Sequence, residues 1–134
     1  MRETKYEDKL TRIINTYGAS AQIDQCIEEM SELTKALIKF KRFSGIGQPL
    51  REEVEEEVLI NNIAEEIADV QITIDELALG FGVADAIQDN FIPEKLSRTL
   101  KTIKENAPEA PAEEEEEESY FEFGSAGDPE HKGG

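Results

Sequence analysis

The chain has 134 residues, the size of a single domain, and 38% of them are hydrophobic, which is enough to build a core. The formal net charge of −17 is unevenly distributed: residues 1–108 hold 21 acids and 13 bases, net −8, whereas residues 109–134 hold 10 acids and one base, net −9. Nucleic acid and anionic membranes are bound through clustered Lys and Arg, so this balance excludes both as expected partners, while small anions that arrive with metal ions remain compatible with it.

The cysteine content and the first residues indicate a cytoplasmic protein. Cys26 is the only cysteine, so no disulfide can form within the chain, and a reducing compartment is expected. The N-terminal sequence MRETKYEDKL lacks the apolar segment of a signal peptide, and no apolar run approaches the ~20 residues of a membrane span. We therefore expect a cytoplasmic protein without membrane contact.

The first predicted element is a short amphipathic helix, and a longer acidic helix follows it. Thr4 and Glu7 form a capping-box pattern, and Gly18 is expected to end the short helix. The acidic helix is predicted over Gln22–Arg42. Its apolar residues recur in steps of four and three, which places them on one face: Ile23, Ile27, Met30, Leu33, Leu37 and Phe40.

Three carboxylates accompany that apolar face. A helix turns by about 100° per residue, so Glu29 lies at the edge of the face, Glu32 somewhat further round and Glu28 furthest away. Two acidic side chains are therefore expected along the border of the core.

A second acidic helix carries a matching pair of carboxylates. The loop 43–50, which contains two glycines and a proline, precedes it, and the helix is predicted from near Arg51 through Leu79. Its apolar residues again recur in steps of four and three: Ile63, Ile67, Val70, Ile74 and Leu77. Glu66 and Asp69 lie roughly 60° and 120° from the first of these. The Glu-rich run 52–57 is interpreted as a solvated helix start at the positive end of the helix dipole.

The remaining chain is expected to form two helical pieces and a tail. A short helix is predicted from Val83 to about Asp89, followed by a turn, because Pro93 cannot occupy a helix interior but is tolerated in a first turn. The last helix begins at Pro93 and is the most basic of the chain. The poly-Glu tail is predicted to be disordered or held only by contacts. The expected fold is all-α, a bundle of four to five helices over residues 1–106, with an acidic low-complexity tail over residues 107–134.

Four carboxylates come together if the apolar faces of the two acidic helices pack against each other. The cluster would contain Glu29, Glu32, Glu66 and Asp69. Carboxylates spaced i, i+3 on two neighbouring helices make an oxygen-rich site that suits Mg²⁺ or Mn²⁺. His131 is the only histidine, so a typical zinc site is not expected. One acidic helix alone is better explained as a solvated face, and the second pair favours the metal site.

These motifs resemble those of the all-α nucleoside triphosphate pyrophosphohydrolases, the MazG-like group related to dimeric dUTPases. The family signature is E-E-x-x-E on one helix and E-x-x-D on the next, found here as Glu28-Glu29-Met30-Ser31-Glu32 and Glu66-Ile67-Ala68-Asp69. The resemblance covers Gln22–Lys104. The 33 residues between Glu32 and Glu66 are more than the family pattern leads us to expect, which indicates an insertion.

The resemblance implies hydrolysis of a nucleoside or deoxynucleoside triphosphate to the monophosphate and pyrophosphate. By motif position, two or more Mg²⁺ (or Mn²⁺) ions would be held by Glu29, Glu32, Glu66 and Asp69, and Glu28 would orient water or support these ligands. No covalent intermediate is required. The resemblance leaves the substrate open, because dUTP, dCTP, purine deoxynucleotides and damaged nucleotides are all taken within the wider group. The compact size and the acidic tail favour a stand-alone enzyme that controls the nucleotide pool and acts on a purine deoxynucleotide such as dGTP.

Further residues are candidates for substrate contact, and a homo-oligomer is expected. Lys95 and Arg98, and more weakly Lys35 and Lys39, could contact phosphates, although an ordinary basic surface explains them as well. Candidates for base recognition are the polar residues Gln22, Gln25 and Asn62, for which simple solvation is the alternative. Family members of this size are oligomers, and about four helices leave broad apolar faces, so a dimer or a dimer of dimers is expected.

A second class of function fits the composition. A non-catalytic acidic helical bundle could bind a basic partner through its surface charge and tail. The two alternatives differ in where the essential charge lies: an enzyme needs Glu66 and tolerates loss of residues 109–134, whereas a charge-driven binder shows the reverse.

Overall fold

The computed structural model describes residues 4–50 and 53–107, and all regular secondary structure in these residues is helical. The helices are α1 (Thr4–Tyr17), α2 (Ala19–Phe43), α3 (Glu56–Phe81), α4 (Ala84–Ala86) and α5 (Ile92–Asn106), with a π-helical turn at Ile87–Phe91 between the last two. The all-α prediction is confirmed. The predicted acidic tail lies outside the described residues, apart from its first residue, Ala107.

The centre of the fold is the antiparallel pair of α2 and α3. One cavity brings Gln22, near the start of α2, beside Glu76, near the end of α3, and another brings Arg42 beside Asn62 at the opposite ends. Helix α1 packs against both helices. The buried apolar side chains among the described residues are few and mostly small: Leu10, Cys26, Ala36, Leu59 and Val70. The body thus has a thin core of its own.

The two long helices meet through faces that coincide only partly with the predicted apolar stripes. The α2 residues turned inward are Gln22, Cys26 and Ala36, whereas most of the predicted apolar face is exposed. In α3, Ile67 and Ile74 are 47% and 45% exposed. Val70, which belongs to the predicted apolar series of α3, is nevertheless buried, so the stripes lie partly in the seam and partly outside it. The seam also holds polar side chains, among them Gln22, Thr73 and Glu76.

The helix ends follow from local backbone chemistry. Gly18, at φ 93°, ends α1 and leads directly into α2, which begins three residues earlier than predicted. Helix α3 begins at Glu56 rather than near Arg51, after an extended Glu55. Gly82 adopts the left-handed conformation, and Val83 N donates to Ala78 O at 2.9 Å, the hydrogen bond that defines a Schellman C-cap.

No turn separates the last two helical pieces, which corrects the expected break before Pro93. The π-helical turn Ile87–Phe91 runs directly into α5, with the proline in the first turn of that helix. Proline lacks an N–H and its ring crowds the carbonyl four residues earlier. A wider π turn accommodates both effects without ending the helical path.

Large apolar side chains are exposed over most of the body. On α5 these are Leu96, Leu100 and Ile103. This helix continues from the π-helical turn and does not pack extensively against α1, α2 or α3. Despite this exposure, no helix in the described part of the chain combines the length and the apolar character needed to cross a bilayer.

A hydrogen bond joins α1 to α3. The Tyr6 hydroxyl donates to Asp75 Oδ2 at 2.6 Å, and the contact is partly buried. A hydrogen bond to a charged acceptor contributes about 1.5–3 kcal/mol. The Tyr6→Phe substitution is therefore expected to lower the free energy of unfolding by about 1.5 kcal/mol, measured by urea unfolding at a fixed protein concentration. Tyr17→Phe, at an exposed position on the same helix, is the control. Equal stability of Tyr6→Phe and wild type would show that the bond contributes nothing.

Candidate metal centre between two helices

Three carboxylates from the two central helices converge in their seam. Glu29 of α2 and Glu66 and Asp69 of α3 each offer one oxygen atom, and these three atoms all lie within 4.8 Å of one another. All three side chains are partly buried. Three of the four predicted ligands are thus brought together in the structure.

Helical spacing and one neighbouring amide position these side chains. Glu66 and Asp69 are three residues apart, so they lie on the same face of α3, and this face is turned toward α2. Gln25 lies one turn before Glu29 and donates from Nε2 to Glu29 Oε2 at 2.6 Å. This bond orients the Glu29 carboxylate while its other oxygen remains available. Gln25, predicted to contact a base, thus also has a positioning role.

The electrostatics of the cluster are unfavourable when it contains only protein groups. Glu66 Oε1 is shielded from solvent and has no hydrogen-bond partner among the described residues. Desolvation raises the pKa of Glu66 above its ordinary value of 4.5, and the negative charges of Asp69, Glu32 and Glu29 raise it further. The site therefore has too much negative charge and one acceptor without a donor.

A divalent cation fits these residues. Mg²⁺ and Mn²⁺ prefer carboxylate oxygen, and Mg²⁺ is usually held by a small number of carboxylates, with water and substrate phosphates completing its shell. A cation here would supply a partner for the orphaned Glu66 oxygen and would screen the three carboxylates from one another. Glu29, Glu66 and Asp69 are the residues that could hold it.

The other acidic residues of the motif lie outside this triad. Glu32 is on the rim, close enough to raise the pKa of Glu66, and Lys35 Nζ lies 3.5 Å from its Oε2. Glu28 is exposed on α2. The fourth predicted ligand is therefore beside the cluster, and Glu28 is directed away from the seam.

Two cavities flank the carboxylates along the seam. The first, of about 330 Å³, lies toward α1 and has Glu29 and Asp69 in its wall, together with Gln22 and Gln25. The second, of about 430 Å³, has Glu32 and Glu66 in its wall, together with the other polar residues Lys35, Lys39, Arg42 and Asn62. Every predicted contact residue on α2 and α3 thus lines one of these cavities. One cavity is rich in amides, and the other is basic.

The predicted phosphate contacts on α5 are placed elsewhere. Lys95 and Arg98 are exposed, and Arg98 Nη2 pairs with Glu94 Oε2 at 3.4 Å. Because α5 does not pack extensively against α2 or α3, a single chain does not bring these two residues to the carboxylates.

Sequence reasoning missed two residues that border the site. Arg42 lies in the basic cavity and is held there by the loop after α2, since its Nε donates to Gln48 O at 2.7 Å and its Nη2 to Pro49 O at 3.0 Å. Glu76 lies in the first cavity and is buried. A signal for Glu76 was available, because Asn62, Glu66, Asp69, Thr73 and Glu76 follow one another in steps of four and three, a polar stripe on one face of α3.

Comparison of the chain with family models, with curated proteins and with solved structures gives no match. The metal centre is therefore inferred from the positions and the chemistry of its own residues.

The cluster predicts that a divalent cation stabilises the protein in a pH-dependent way. Mg²⁺ or Mn²⁺ at 100 times its dissociation constant should raise the free energy of unfolding by about 2.7 kcal/mol. A carboxyl group must lose its proton to bind a cation. Because the pKa of Glu66 is raised above 4.5, the proton competes at a higher pH than at an ordinary glutamate. The shift in unfolding temperature should be largest near neutral pH and should decrease as the pH falls toward the raised pKa of Glu66.

In the metal-free protein, the contribution of Glu66 to the free energy of unfolding should instead decrease as the pH rises. Its folded state holds the Glu66 proton more tightly than the unfolded state, so this group favours folding below pH 4.5 and the contribution is lost as the pH rises through the raised pKa. Glu66→Gln should abolish both the metal shift and this part of the pH dependence. A metal shift that persists in Glu66→Gln would place the cation elsewhere.

Proposed function

We propose that the protein is a metal-dependent nucleotide pyrophosphohydrolase that converts a nucleoside or deoxynucleoside triphosphate and water to the monophosphate and pyrophosphate. The observation that carries the proposal is the triad of carboxylate oxygens within 4.8 Å of one another, contributed by two helices and flanked by a cavity on each side. The E-E-x-x-E and E-x-x-D motifs, which resemble those of the MazG-like family, provide all three members of this triad.

The reaction needs a charge-neutralised polyphosphate and an activated water. In it, the water oxygen forms a bond to the α-phosphorus while the bond from that phosphorus to the bridging oxygen breaks, and pyrophosphate leaves. Divalent ions at this site would neutralise phosphate charge and lower the pKa of the attacking water. Glu29, Glu66 and Asp69 would hold these ions, and Gln25 would keep the Glu29 carboxylate in position.

The different character of the two cavities indicates which way a nucleotide would lie in the site. The basic cavity carries Lys35, Lys39 and Arg42 beside Glu32 and Glu66, which suits the β- and γ-phosphates of the substrate. Arg42 is the best-positioned cation of this group, because the loop carbonyls that accept its hydrogen bonds do not neutralise its charge. The cavity on the other side of the carboxylates is left for the nucleoside. A purine deoxynucleotide such as dGTP is the proposed substrate, and pool control is the proposed role.

A homo-oligomer, a dimer or a tetramer, is part of the proposal. The small buried core of the described residues would leave the body marginal as a monomer. The exposed stripes of α2 and α3 contain Ile27, Met30, Ile67 and Ile74, and a second copy of the chain would cover such faces. Lys95 and Arg98 could then reach the carboxylates of another protomer.

The central test is pyrophosphate release from a panel of nucleoside triphosphates with Mg²⁺ or Mn²⁺. Glu66→Gln should lower kcat/KM by more than about 100-fold, because it removes a metal ligand at nearly constant shape, and EDTA should abolish release. Glu65→Gln is the matched control, since Glu65 is the adjacent residue, is exposed and carries the same charge. This control and a chain without residues 109–134 should retain activity.

The same measurement separates the enzyme from an acidic binding protein. No pyrophosphate release from any nucleotide would contradict the enzymatic function and favour the acidic helical bundle that binds a basic partner. The orphaned oxygen of Glu66 in the seam is the observation that favours the enzyme, because a binder that uses surface charge needs no such group.

The proposed assembly has a test that does not depend on activity. Ile67→Lys places a charge in the exposed stripe of α3 and should convert the oligomer to a monomer, measured by light scattering during size-exclusion chromatography. Asn61→Lys adds the same charge about 120° away on the same helix and should leave the mass of the oligomer unchanged. A monomeric wild-type protein, or an unchanged mass of Ile67→Lys, would contradict this interface.

A further inference from the structure

The cavity between α1 and the carboxylates has the character of a binding site for a small planar group. Its volume of about 330 Å³ lies at the lower end of the range for small-molecule pockets. Ile13, Tyr17 and Ile72 supply apolar surface, and Gln22, Thr73 and Glu76 supply polar groups. The carboxylates Glu29 and Asp69 of the candidate metal centre, with Gln25, also line this cavity. Apolar walls with a few polar groups are the usual composition of a site that binds a flat ring and fixes its orientation.

Glu76 is the unusual member of this wall. Its side chain is 3% exposed, and its Oε1 has no hydrogen-bond partner among the described residues. Burial raises the pKa of this carboxyl, which reflects the cost of holding its charge away from water. A buried acceptor without a donor normally costs stability, and an apolar residue would avoid that cost. Thr73, one turn earlier, uses its hydroxyl on Val70 O at 2.9 Å and does not offset the cost.

We propose that this cavity binds a guanine base, with the carboxylate of Glu76 accepting hydrogen bonds from the ring N–H and the exocyclic amino group. This inference rests on the proposed function for the direction of the nucleotide, with the phosphates at the metal centre and the base toward α1. Gln22 is 7% exposed in the same wall, and its amide can donate to the guanine carbonyl oxygen.

The chemistry of Glu76 separates guanine from the other common bases. A carboxylate presents two acceptors side by side, and guanine presents two adjacent donors, the ring N1–H and the exocyclic N2–H₂. Adenine and cytosine place a ring acceptor next to their amino group, which would face the carboxylate with like polarity. Thymine and uracil have one N–H between two carbonyl oxygens. A base other than guanine would therefore leave a buried oxygen unpaired or repelled.

The decisive experiment compares dGTP with dITP, whose base lacks only the exocyclic amino group. For the wild-type protein with Mg²⁺, kcat/KM should be about tenfold to 100-fold higher for dGTP than for dITP. Glu76→Gln replaces one acceptor by a donor and should bring this ratio close to one. A variant that was merely damaged would lose both activities and keep the ratio. Glu57→Gln, at an exposed position in the first turn of α3, is the control and should keep the wild-type ratio.

A second readout requires no turnover and separates failure of this inference from failure of the enzymatic function. Calorimetry with dGMP and dIMP should show the same preference and the same loss in Glu76→Gln. If nucleotides are hydrolysed but the ratio is near one or does not respond to Glu76→Gln, guanine recognition is overturned and the enzymatic function stands. If no nucleotide is hydrolysed but dGMP is preferred through Glu76, the function is overturned and the guanine site stands.

Discussion

The structure depends on three carboxylates that lie where two helices meet. A seam between helices is normally filled by apolar side chains, and charges placed there lose hydration without gaining packing. Glu29, Glu66 and Asp69 lie together in this seam, and one oxygen of Glu66 has no hydrogen-bond donor among the described residues. A divalent cation bound here would screen the carboxylates from one another and would give the unpaired oxygen of Glu66 a partner. The cavity on one side of these carboxylates is lined by amide side chains, and the cavity on the other side is lined by cationic side chains.

The exposed apolar residues of α2 and α3 are related to the polar character of the seam. Because polar residues occupy part of the seam, parts of the apolar stripes of α2 and α3 remain outside it and half exposed, as Ile67 and Ile74 show, although Val70 of the same stripe is buried. The chain thus has a polar internal seam and exposed apolar residues, which in the proposed function would serve the chemistry and the assembly, respectively. Stability and catalysis would be linked through the oligomer, since contacts between protomers would supply the apolar burial that the internal seam lacks.

The sequence predicted the helices and the pairing of the carboxylates, but not how the helices are rotated. Gly18 and Gly82 marked helix ends, because their left-handed backbone stops a helix. Hydrophobic periodicity identified the apolar stripes, but it cannot distinguish a face that packs within the chain from one that packs on another copy. Pro93 predicted a break between two helices, yet the helical path continues through a π-helical turn into α5. The polar stripe of α3 marks Glu76 as a residue on the same face as Glu66 and Asp69, but its burial and the lack of a hydrogen-bond partner for its Oε1 among the described residues become visible only in the fold.

The most direct test of the account is the location of a bound ion. Crystals of the protein grown with Mn²⁺ allow the metal to be located by its anomalous scattering. The account predicts a peak within coordination distance of carboxylate oxygens of Glu29, Glu66 and Asp69, in the seam between α2 and α3. A seam without such a peak at saturating Mn²⁺, or Mn²⁺ bound only to exposed acids elsewhere on the chain, would contradict the claim that these carboxylates form a metal centre.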